Sequence, residues 1–78
     1  MGRLTPVRAE TLIRVFERLG YRRDGVRGSH LRMTRPGSPR PIIVPLYREV
    51  PVFIIQSNLR TSGISREDFL RMPEEERK

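Results

Sequence analysis

The sequence predicts an α+β domain in the order helix, three-stranded antiparallel sheet, helix, short C-terminal helix. Three observations carry this expectation. An apolar stripe at helical spacing runs up to Gly20. Short stretches of strand character follow, separated by Gly and Pro turn signals. A proline then opens a second apolar stripe that stops at Gly63. At 78 residues the chain has room for one domain, 1–78, with its core over about residues 5–72. A domain this small buries a modest core, so its stability depends on few contacts.

Thr5-Pro6 reads as the first helix start, a hydroxyl N-cap followed by proline at the first helical position. Ala9, Leu12, Ile13, Phe16 and Leu19 then recur on one face, and Gly20 supplies the left-handed stop. Arg8, Arg14 and Arg18 lie off that stripe and form a solvated charged face. Tyr21 to Val26 is the first strand, interrupted at Asp24-Gly25, and Arg27-Gly28 is a turn or bulge. From Ser29 to Thr34 the chain alternates, with Leu31 and Met33 to one side and His30, Arg32 and Thr34 to the other. If the apolar pair faces the core, His30 and Arg32 face out.

Pro36-Gly37-Ser38-Pro39 makes the next turn. Ile42, Ile43 and Val44 form the third strand, and the flanking Pro41 and Pro45 suit strand ends. Leu46 to Val50 is a loop that holds Tyr47, Arg48 and Glu49. Pro51 opens the second helix, with Val52, Ile55 and Leu59 on one face and Phe53 and Ile54 nearby. Ser65-Arg66-Glu67-Asp68 resembles a capping box and starts a short helix with Phe69, Leu70 and Met72, stopped by Pro73. Helices at either end of such a sheet cover one face and leave the other open to solvent.

The formal net charge is +7, and all sixteen basic residues are arginine except Lys78. Arginine suits phosphate because its planar fork bonds two oxygens, so this charge points to a polyanionic partner such as nucleic acid, or to an acidic protein. There is no cysteine, which excludes disulfides, thiolate metal sites and a cysteine nucleophile. No apolar run approaches membrane-spanning length, and Met1-Gly2-Arg3-Leu4 lacks the apolar stretch of a signal peptide, so a cytoplasmic location is expected.

Spacing also excludes a P-loop, a dinucleotide fingerprint and paired histidines, and one histidine with scattered carboxylates is a poor metal site. No cofactor is expected. A Ser29-His30-Asp24 triad is badly placed, because neighbours on a strand point to opposite faces. What remains is one imidazole among arginines. An imidazole ordinarily titrates at about 6.5 and can give or take a proton at neutral pH. RNA cleavage needs a base for the ribose 2′-hydroxyl, an acid for the leaving 5′-oxygen, and cations for the charge on the transition state.

The ordered set Leu19-Gly20-Tyr21, Gly28-Ser29-His30, Ile42-Ile43-Val44-Pro45 and Ser62-Gly63-Ile64-Ser65-Arg66-Glu67-Asp68-Phe69 resembles the HicA family of messenger-RNA interferase toxins. The resemblance runs from about Thr5 to Leu70. It implies a fold like the double-stranded RNA-binding domain, αβββα, which agrees with the order read from the residues. It implies ribosome-independent cleavage of messenger RNA and inhibition by a HicB-type antitoxin that covers the active face; separately, the free chain is expected to be a monomer. By the same resemblance His30 is the catalytic residue, Gly28 the turn that frees the backbone, and Ser29 a local hydrogen-bonding partner. Arg27, Arg32, Tyr47 and Arg48 are expected to bind RNA or support that face.

There are two departures. Family members often carry a further histidine shortly after the strand-ending proline, where this chain has Tyr47. Tyrosine donates a hydrogen bond or stacks on a base. Members also often have a histidine directly after the motif, where this chain has Leu31 at an inward strand position. The alternative function is a non-catalytic RNA-binding module of the same fold, which would hold RNA and leave it intact.

Overall fold

The computed structural model describes residues 4–72. The elements are α1 (Ala9–Arg18), β1 (Arg22–Arg27), β2 (His30–Thr34), β3 (Ile42–Pro45), α2 (Val52–Ser62) and α3 (Arg66–Leu70). The three strands form one antiparallel sheet in the order β1-β2-β3, so β2 is central. This is the predicted α+β layout. Pro73, expected to stop α3, lies outside the described residues.

The first helix begins later than Thr5-Pro6 predicts. Val7 is extended and pairs with Val50, its N–H donating to the Val50 carbonyl at 3.2 Å. That bridge holds residues 4–8 out of the helix, and Arg8, extended at φ −67° and ψ 148°, becomes the N-cap without a side-chain cap bond. A long-range backbone pair has overridden a local start signal. The end of α1 follows the sequence: Gly20 takes φ +97°, and the Leu19 and Gly20 amides close on carbonyls of the last turn.

Turn chemistry sets the strand register. Gly28 and Ser29 join β1 to β2 as a two-residue hairpin, with Arg27 opposite His30. Gly28 has φ +60°, and no residue other than glycine has positive φ among those described, the pattern of a hairpin turn with glycine at its first central position. Between β2 and β3, Pro36-Gly37 makes a turn in which the Ser38 N–H donates to the Arg35 carbonyl at 3.0 Å.

One face of the sheet is covered by the helices. Leu12, Val15 and Phe16 of α1 meet Leu31 and Met33 of β2, Ile42 and Val44 of β3, Ile55 and Leu59 of α2, and Phe69 of α3. Each such large side chain contributes about 1.5–3 kcal/mol through removal from water. Ser65 caps α3, its Oγ accepting from the Asp68 N–H at 3.0 Å, as the capping-box reading requires. Asn58 of α2 is buried, and its Nδ2 has no hydrogen-bond partner. An unsatisfied buried donor costs about 1–3 kcal/mol. No helix among the described residues is long and apolar enough to cross a membrane.

Arg35 closes the end of the core opposite the hairpin. Its guanidinium lies over the Tyr21 ring, 4.6 Å from the centroid. It also donates to the Leu19 carbonyl at 3.2 Å and to the Ser62 carbonyl at 3.1 Å, the C-terminal ends of α1 and α2. One cation thus answers the negative end of two helix dipoles. Replacing it by alanine is expected to destabilise the fold by about 2 kcal/mol, from the lost charged hydrogen bonds and ring contact. Replacing the exposed Arg22 should change stability by less than about 0.5 kcal/mol. Urea unfolding of Arg35→Ala and Arg22→Ala at unchanged m-value tests the difference.

Candidate active site

His30 is the first residue of β2 and is exposed on the face that the helices leave open. The alternation read from sequence holds: His30 and Arg32 are exposed, while Leu31 and Met33 are buried. In the register, His30 stands between Arg27 on β1 and Pro45 on β3. The hairpin turn and the end of β3 are tied together, the Leu46 N–H donating to the Ser29 carbonyl at 2.7 Å. That bond carries the chain past Pro45 and turns Tyr47 back onto His30. The two rings meet edge to face, with centroids 6.4 Å apart and planes at 68°.

Beside His30, Arg32 donates from Nε to Asp24 Oδ2 at 3.1 Å. A bulge explains this pair. Between the Arg23–Met33 and Val26–Leu31 pairs, Asp24 and Gly25 together face Arg32 alone. Gly25 takes φ +100°, which the kink needs. The sequence shows the break at Asp24-Gly25 but not its partner, because the partner depends on a register shift.

These residues surround an open depression of ≈ 620 Å³ lined by Asp24, Gly25, Val26, Arg27, His30, Arg32 and Ile43. The structure therefore gathers His30, Arg27 and Arg32, with Tyr47 against His30 from the β3 side. Arg48 is exposed one residue beyond Tyr47, in the same loop but outside the depression. Gly28 and Ser29 make the turn between the lining residues Arg27 and His30 without lining the depression themselves, and Ser29 accepts from the Leu46 N–H through its carbonyl oxygen. Sequence alone offers Asp24 only as a badly placed triad partner and gives Val26 and Ile43 no site role. A β-branched residue at an outward strand position, Ile43, was the available signal. Among the described residues no three histidine, cysteine, aspartate or glutamate side chains gather as metal ligands.

A family model described as the HicA toxin of bacterial toxin–antitoxin systems matches residues 9–64. The chain belongs to the HicA toxin family. The matched span of this HicA chain opens with α1 and extends just past the end of α2, so it contains the whole sheet and the His30 depression. Toxins of this family act in pairs with antitoxins. Curated protein sequences give no match to the chain.

The turn that presents His30 depends on Gly28. A β-carbon there meets no atom within 4 Å, so backbone conformation alone decides the effect of substitution. Gly28→Ala is expected to lower stability by about 1 kcal/mol and Gly28→Asn by less, since asparagine tolerates a left-handed backbone. Thermal unfolding of the two variants measures the order.

Proposed function

We propose that this chain is the toxin of a type II toxin–antitoxin pair that binds messenger RNA and cleaves it as a small, metal-independent endoribonuclease in the cytoplasm. The observation that carries the reading is the placement of His30. The imidazole stands on the open sheet face with Arg27 and Arg32 beside it and Tyr47 against its ring. The membership in a toxin family supplies the biological setting.

In this reading a single RNA strand crosses the open face with its scissile phosphate over the depression. His30 moves the proton, as general base toward the 2′-hydroxyl or as general acid toward the leaving 5′-oxygen. The 2′-oxygen bonds to phosphorus as the bond to the 5′-oxygen breaks, which leaves a cyclic phosphate and a 5′-hydroxyl end. Arg27, and Arg32 once phosphate competes with Asp24, stabilise the charge that builds on the non-bridging oxygens. Tyr47 orients the imidazole or stacks on a base. Arg48 and the Gly28-Ser29 turn extend the contact surface on either side. A HicB-type antitoxin, acidic against a chain of net charge +7, silences the toxin by covering this face.

Cleavage of a labelled RNA by wild type, His30→Ala and Tyr47→Phe tests the proposal. Removal of the imidazole is expected to reduce cleavage by about a hundredfold or more and to end growth arrest in cells, with the circular dichroism spectrum unchanged. Tyr47→Phe keeps the ring contact and loses the hydroxyl, so a fall of roughly tenfold or less is expected, well short of the loss on removing a proton-transfer group. Undiminished cleavage by His30→Ala would remove His30 from the mechanism. Bound but uncut RNA with the wild-type protein would leave the non-catalytic RNA-binding reading in its place.

A further inference from the structure

A second opening lies across the edge of β3 from the His30 depression, and Ile43 lines both. Its volume is ≈ 260 Å³. The sheet side is Pro41, Ile42 and Ile43, and the α2 side includes Phe53, Ile54, Ser57, Asn58 and Thr61. Two features are out of keeping with an ordinary helix–sheet seam. Phe53 is 69 % exposed, although α2 has a buried face to put it on. Asn58 lines the opening but is only 5 % exposed, and its Nδ2, closed off from the groove as the side chain stands, has no hydrogen-bond partner.

We infer that this groove is a nucleobase subsite, in which one unpaired base of the RNA stacks on Phe53 while the Asn58 side chain turns its amide outward, so that Nδ2 donates to a carbonyl oxygen or ring nitrogen of that base. The inference rests on the RNA reading above and adds where the strand goes after it leaves His30. A planar ring with acceptors on its edge satisfies both features at once, apolar face against Phe53 and acceptor against the buried amide. Ile43 sits diagonally across the strand pair from His30, so a strand crossing the depression reaches the groove without a turn.

The register weighs against an extended peptide as the occupant. The Ser29–Leu46 bond fixes the alternation, so Ile42 and Val44 direct their peptide groups to β2, while positions 41, 43 and 45 direct theirs off the edge. Two of those three are proline, which leaves Ile43 as the single N–H donor on that stretch. Strand addition needs a ladder, and this edge offers one rung.

The test is binding without turnover, in the His30→Ala protein, by fluorescence anisotropy with a 5′-labelled single-stranded RNA. Abasic residues are then placed at each position in turn. Phe53→Ala and Asn58→Leu are each expected to weaken binding by about tenfold. One abasic position should weaken the parent by a similar factor and abolish the further effect of Phe53→Ala. Asn58→Leu should unfold at the same or a higher urea concentration, since it removes the unsatisfied donor, so its loss of affinity is not a loss of fold. If the His30→Ala protein binds RNA and both variants bind it equally well, the subsite is overturned and the proposed function stands. If both variants keep RNA affinity but lose affinity for an acidic protein partner, the groove is a protein-docking surface and the subsite is again overturned. If neither the wild-type nor the His30→Ala protein binds RNA, both readings fall.

Discussion

The register of β2 is the constraint on which the rest depends. This strand is central, and its two faces do different work. Leu31 and Met33 complete the core, while His30 and Arg32 line the open depression. A slip of one residue would exchange the sets, burying a guanidinium and exposing two core side chains. Both neighbours oppose that slip. The Gly28-Ser29 turn fixes β1 against β2, and the bond from Leu46 to Ser29 fixes β3 against the same turn. Core and site are therefore specified by one set of backbone pairings, and neither moves without the other.

The same pairings decide which arginines face the depression. Arg23, opposite the inward Met33, turns toward α1 and meets Glu17 at 3.0 Å and Glu10 at 3.6 Å. Arg27, opposite His30, lines the open face. Alternation thus places acid against cation at the margin of the helical layer and leaves cations around the imidazole. Asp24 is the exception, a carboxylate brought to the open face by the bulge. Exposed ion pairs of this kind contribute only about 0–1 kcal/mol, so the Asp24–Arg32 pair shapes local charge more than it stabilises the fold.

Much of this was legible in the residues because half-buried elements carry their own periodicity. The alternation around His30, the glycine stops at Gly20 and Gly63, and the prolines bracketing β3 each have a local cause. What could not be read came from pairings between distant segments. Thr5-Pro6 is a sound helix start until Val7 finds Val50. Asp24 is a break in a pattern until the shifted register sets it against Arg32. Tyr47 is a loop residue until the turn and the third strand are tied together. The opening between β3 and α2 had no sequence signal, since Asn58 looks like any polar helix residue until its burial is known.

Arg35 was one arginine among many in the sequence, and the structure gives it to the fold. It joins carbonyls that lie 16 and 27 residues from it in the chain. Neither helix end can fray without stripping that cation of a partner and uncovering Tyr21, so the two ends are coupled. Partial opening, the step by which proteases gain their first foothold, is then drawn toward the free energy of global unfolding. Proteolysis that starts from either helix end therefore has to break the Arg35 contacts first.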